Sequence, residues 1–199
     1  MLATPDTHLF CGELCRKSDA CEGGAKCGLC SLARVYSVTG QSMPEIIEIA
    51  ASEIPQPQRD LLVHRRDMTT TLQTFHGART HLRLLRTEAG SGIYQREVVL
   101  ALDGSERPVE FGASSIHLDR LPPDVQQEIV LAERPLGGLL LEHGVEFVSR
   151  PKAFIRVEAD TLIGRALELE GIDPLFGRCN ALLTPQGDVL ADIVEILPP

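Results

Sequence analysis

The chain is 199 residues long, 24% of them charged and 43% hydrophobic, with a net charge of -9. That fits an ordinary globular protein of one domain plus an appendage, and its acidic balance excludes non-specific nucleic-acid binding, which needs a basic footprint against phosphates. No apolar run reaches the ~18 residues of a membrane span, and the opening MLATPDTHLF has neither a basic nor an apolar signal region, so the cytosol is the expected location.

The head, residues 1–40, holds five of the six cysteines: Cys11, Cys15, Cys21, Cys27 and Cys30. A reducing cytosol disfavours structural disulfides, so the cluster is either a metal site or a set of free thiols. Cys27-Gly28-Leu29-Cys30 has the two-residue spacing of a zinc or iron–sulfur knuckle. Cys11 and Cys15, with Cys21 as the alternative, could supply the second pair. The competing reading is a Gly-rich leader whose thiols bind nothing.

Residues 41–199 read as one compact domain. Pro44 opens a helix-compatible run through Ile46, Ile47, Ile49 and Ala50, stopped by Pro55 and Pro57. Asp67 is placed to cap a short helix that ends at Gly77. Segments 79–87, 93–102 and 108–118 alternate as strands. Pro122-Pro123-Asp124 starts a helix carrying Val125, Ile129 and Val130, and a second helix runs from Pro135 to His143-Gly144. A strand over 145–158 is interrupted by Pro151. Asp160 then caps a helix that Gly171 ends, and two last strands, 174–184 and 188–197, flank the turn Pro185-Gln186-Gly187-Asp188. The sum is an α+β fold with a six-stranded, mostly antiparallel sheet. Gly-rich phosphate loops, His-Glu-x-x-His pairs and Gly-x-Ser-x-Gly elbows are all missing from the sequence. Phosphoryl transfer, zinc proteolysis and serine hydrolysis therefore have no support.

Two charged residues interrupt apolar strand faces. In 93–102 the face Tyr94, Arg96, Val98, Leu100, Leu102 is broken by Arg96. In the last strand the face Val189, Ala191, Ile193, Glu195 ends in a carboxylate, and the opposite face carries Asp192. A buried guanidinium or carboxylate is costly unless paired with a counter-charge or a ligand. An internal Arg–Glu pair and a ligand site both satisfy that requirement.

From about Leu61 to Pro198 the chain resembles the chorismate pyruvate-lyase family. The resemblance is carried by Leu61-Leu62-Val63 through Asp67-Met68-Thr69, by Tyr94-Gln95-Arg96-Glu97-Val98-Val99-Leu100 before Asp103-Gly104, and by Arg134-Pro135-Leu136-Gly137. Phe176-Gly177-Arg178 and Gly187-Asp188-Val189-Leu190 running to Glu195-Ile196-Leu197-Pro198 complete it. It implies a six-stranded antiparallel sheet whose helical flaps close over a ligand. It also implies conversion of chorismate to 4-hydroxybenzoate (or a related hydroxybenzoate) and pyruvate without metal or coenzyme. Arg96 matches the family's carboxylate-binding arginine, and its planar fork suits a bidentate pair. Glu195 matches the catalytic acid/base. Apolar neighbours would raise its pKa and a nearby Arg96 would oppose that rise.

Met68 and Leu136 match positions whose backbone amides contact the ligand. Asp192 is the weaker alternative at the acid/base position. Arg178 either lines the pocket or pairs with Asp192. His64, His76, His81 and His117 read as ordinary polar residues. The same fold serves as the effector-sensing domain of bacterial transcription regulators, so a non-catalytic module binding a small carboxylate is the alternative function. A metal- or redox-responsive protein acting through the Cys-rich head is a third.

Overall fold

A computed structural model describes residues 29–90, 92–171 and 173–199. Cys11, Cys15, Cys21 and Cys27 lie outside the described residues. Cys30 is disulfide-bonded. The described chain forms helices α1 (Cys30–Thr39), α2 (Gln58–Leu62), α3 (Met68–His76), α4 (Pro123–Leu131), α5 (Leu136–Glu142) and α6 (Thr161–Ala166). Its strands are β1 (Ile46–Ile49), β2 (Thr80–Gly90), β3 (Ile93–Leu102), β4 (Pro108–His117), β5 (Val148–Val157), β6 (Leu175–Leu183) and β7 (Val189–Leu197).

All strand pairs are antiparallel, in the order β1-β5-β6-β7-β4-β3-β2. The expected sheet has six strands and the observed one seven among the described residues. The added strand is β1, where a helix was expected. Ile46-Ile47-Glu48-Ile49 is rich in side chains stiff at χ1, and it pairs with Val157–Phe154 on the open edge of β5. A four-residue segment cannot repay helix nucleation, whereas an existing strand edge offers immediate partners.

Other boundaries follow local chemistry. Asp67 accepts from Thr70 N at 2.8 Å and Gly77 takes the left-handed conformation at φ 61°, so α3 begins and ends where expected. Asp160 accepts from Ile163 N at 2.9 Å, but α6 stops at Ala166, short of Gly171. Pro151 cannot donate to the ladder, and the β5–β6 register shifts between Pro151 and Ala153. In α4, Val125 and Ile129 are buried while Val130 is exposed, as an i, i+4 stripe dictates.

The sheet has two covered faces. Val99, Phe111, Ala113, Cys179, Val194 and Ile196 pack beneath α1 and α6, with Leu32, Val35 and Tyr36 of α1 inside that core. The last ten residues of the head therefore belong to the domain, and residue 40 is not its edge. The opposite face carries α2 and α3 over one end and α4 and α5 over the other. It is the face of Arg96 and Glu195, and it holds the cavity described below.

Gly177 fixes the approach of β6 to β7. A Cβ there would lie 2.5 Å from the carbonyl oxygen of Glu195, too close for any real contact. Gly177→Ala should therefore part the two strands and cost ~1–3 kcal/mol of stability, the usual price of overpacking. Urea unfolding of the variant measures it, and an unchanged midpoint would contradict this reading of the strand contact.

Candidate functional site: a cavity with a cationic and an acidic pole

Strand alternation brings one set of side chains to a common face. Arg96 on β3 lies opposite Ser114 on β4, which lies opposite Ile193 on β7. One row along, Val98, Gly112, Glu195 and Arg178 line up across β3, β4, β7 and β6. The next residue of this face on β4 is Glu110, opposite Leu100. A cavity of about 60 Å³ sits over these rows, room for a few waters at roughly 10–15 Å³ each. Its rim is the start of α3 (Asp67, Met68, Thr69) and the start of α5 (Leu136, Gly137). Gly137 lets the two helix starts close up, since a Cβ there would meet the Asp67 Cβ at 3.1 Å. Arg96, Glu195, Met68 and Leu136 thus line one cavity. Asp192 faces the other side of the sheet and pairs with Lys152 at 2.6 Å.

Arg178, whose role the sequence left open, is fully buried and bonds Glu195 through Nε. It does not pair with Asp192. Its Nη1 donates to the carbonyls of Leu62 and His64, both at 3.2 Å, and to His64 Nδ1 at 3.3 Å. Nη2 donates to the Arg66 carbonyl at 3.4 Å. His64 Nε2 donates to the Leu61 carbonyl at 2.7 Å, which leaves Nδ1 as the acceptor facing Arg178. Burial and the Arg178 charge hold the His64 pKa below its usual range. This histidine is a neutral brace, tying the 62–66 turn to Arg178.

Arg96 is buried with little to bond. Its Nη1 donates to the Arg134 carbonyl at 3.4 Å, and Nε has no partner among the described residues. Burial pushes its pKa down to about 10. Ser114 Oγ, directly across the strand pair, also has no partner among the described residues. A buried charge with so few partners is costly.

Glu110 was not singled out by the sequence reading. It is buried on the cavity face, and its Oε2 has no partner among the described residues. Burial first, and then the Glu195 and Asp67 carboxylates, raise its pKa well above the ordinary value, with Arg178 opposing. The signal was available in Pro108, Glu110, Gly112, Ser114, Ile116, a face broken by a carboxylate like that of β7. The small residues around it made β4 look less apolar than β3.

A raised folded-state pKa means that Glu110 contributes stability below its unfolded value of about 4.3, which is lost as pH rises through the folded value. Glu110→Gln keeps the neutral form at every pH. The variant should gain stability relative to the parent as pH rises above the unfolded value, and level off once the folded value is passed, read as the difference in urea midpoints. A Glu110→Gln difference independent of pH would mean that Glu110 is ionised in the folded protein.

No protein-family model matches the chain and no curated protein matches it in sequence. Solved structures match in shape. The effector domain of PhnF from Mycobacterium smegmatis superposes with a TM-score of 0.51 at 15% identity, covering 66% of this chain and 88% of that one. Whole PhnF from the same organism gives a TM-score of 0.49 at 14% identity over 84% of this chain and 93% of its own. A GntR-family transcriptional regulator from Bacillus cereus gives 0.44 at 11%, over 60% and 92%. Identities this low speak for architecture alone, and the first superposition carries it. The chain has the α+β, antiparallel-sheet fold of a regulator effector domain, the fold also expected from the chorismate-lyase resemblance.

Proposed function

We propose that this chain is a small-molecule-binding module whose cavity recognises a carboxylate through Arg96. The observation that carries the reading is the unfilled bonding capacity of a buried guanidinium at a cavity wall. A carboxylate would take two parallel N–H bonds from its fork, and Ser114 Oγ opposite could donate a third. The effector-domain fold of the PhnF neighbour is consistent with sensing in place of turnover. So is the state of Glu195, one of whose oxygens, Oε2, is already held by Arg178. A proton-transfer group is expected to have its carboxylate available to the reacting atoms.

A second reading is chorismate lyase activity, favoured by the convergence of Arg96, Glu195, Met68 and Leu136 on one cavity. In that reaction Arg96 would orient a carboxylate, the cavity would exclude water, and Glu195 would manage the proton near the breaking ether bond. No metal or coenzyme enters either reading.

Calorimetry with benzoate and 4-hydroxybenzoate, beside an assay for pyruvate released from chorismate, separates the two. Binding without pyruvate release is the expected result. Arg96→Ala should weaken carboxylate binding by ~2–5 kcal/mol, and Arg96→Lys should restore only part, because a point charge replaces a fork. Pyruvate release that Glu195→Gln abolishes, with hydroxybenzoate affinity kept, would move the assignment to the lyase. Failure of the parent protein to bind any carboxylate would overturn both readings.

A further inference from the structure

The charges around the cavity do not suit a simple anion. Three carboxylates stand there, Asp67, Glu110 and Glu195, against two guanidiniums, Arg96 and Arg178. Arg178 is taken up by Glu195, and Asp67 caps α3 at the rim. Arg96 and Glu110 remain as two unsatisfied poles of opposite character, each only 5% exposed and each with an unpartnered polar atom among the described residues. A ligand bringing only a carboxylate would meet Arg96 and leave Glu110 Oε2 without a partner among the described residues. A ligand carrying its own cation would not.

The poles are also well spaced. Ser114 faces Arg96 across the strand pair, and Glu110 lies four residues from Ser114 along β4. At ~3.4 Å per residue that is ~14 Å between backbone positions, which an arginine and a glutamate side chain reaching inward reduce to the length of a short molecule. A Cβ at Gly112 would meet Val98 Cγ2 at 3.1 Å and Glu110 Oε1 at 3.4 Å, so the missing side chain makes room for the Glu110 carboxylate, and Val98, Ile193 and Leu182 supply apolar walls. The charged or titratable groups facing Glu110 are Glu195 from β7, Arg178 from β6 and Asp67 from the start of α3. Two of these three favour a positive group beside it.

We propose that the cavity takes a zwitterion, with Arg96 holding its carboxylate and Glu110 its ammonium group. This rests on the anion-binding reading of Arg96 given above. In the empty cavity burial and the neighbouring carboxylates favour the protonated form of Glu110. When the ammonium arrives, that proton leaves to solvent, and the resulting carboxylate accepts an N–H bond at the Oε2 that otherwise has none. Proton and ammonium compete for one site, so zwitterion affinity rises with pH.

The test is calorimetry of the whole chain with ω-amino acids from 3-aminopropanoate to 6-aminohexanoate, each beside the plain acid in which a methyl group replaces the ammonium. At least one amino acid should bind at least about tenfold more tightly than its methyl partner at pH 8. The preference should shrink at pH 6, and the enthalpy should differ between phosphate and Tris buffers by the heat of one released proton. Glu110→Gln, which mimics the protonated acid in shape, should erase the preference of the amino acids over their methyl partners. Arg96→Met should lose both ligands. Plain acids that bind as well as their amino partners at every length would overturn the zwitterion while leaving the carboxylate site standing. If neither series binds the parent protein, the carboxylate site itself is refuted. A preference that survives Glu110→Gln would assign the ammonium to another carboxylate and overturn the role of Glu110.

Discussion

The ion pair between Arg178 and Glu195 organises the site. Its two residues face each other across β6 and β7, where Gly177 lets the strands come unusually close. A buried guanidinium has five N–H donors, and one carboxylate cannot satisfy them. The remainder are met by the carbonyls of Leu62, His64 and Arg66 and by His64 Nδ1. The pair thus pins the 62–66 turn to the sheet, and that turn leads directly into Asp67 and α3. The cavity rim is consequently set by an interaction below its floor. Removing one partner of such a pair costs far more than its net contribution, because the other charge stays buried.

That arrangement changes what Glu195 can do. A carboxylate locked to a buried guanidinium is a structural and electrostatic element. It directs negative charge at its diagonal neighbour on β4, Glu110, whose pKa burial and that charge push up. Arg96 at the other end lacks any counter-ion among the described residues. The cavity therefore has polarity: a cationic end with donors to spare and an acidic end whose group titrates. Catalytic elimination and ligand sensing ask for different things of these same residues. A fold shared with effector domains does not choose between them, whereas the pairing of Glu195 leans towards binding.

Much of this was legible in the sequence because it is written in local rules. Period-2 alternation placed Arg96 and Glu195 on apolar faces, and both faces prove to be the same side of the sheet. Asp67, Asp160 and Gly77 mark helix ends through side-chain and backbone chemistry that needs no distant partner. Where a segment lacked a strong local signal, the reading went astray. Ile46–Ile49 became a strand because β5 offered an edge. The helix at 30–39 was hidden within a Cys-rich head, although Leu32, Val35 and Tyr36 form one apolar stripe that the sheet buries.

The sequence alone determined the strand faces, the caps, the acidic balance and the presence of charges where apolar side chains belong. These depend on neighbours a few residues apart, and the pleat and the helical turn are fixed by backbone geometry. Tertiary structure alone decided which charge meets which. Arg178 could have answered Asp192 or Glu195, and register across β6 and β7 gave it Glu195. Glu110 became an acid with a raised pKa only when β4 was laid beside β7, because desolvation and like-charge repulsion depend on what surrounds a carboxyl group in space, not on what precedes it in the chain.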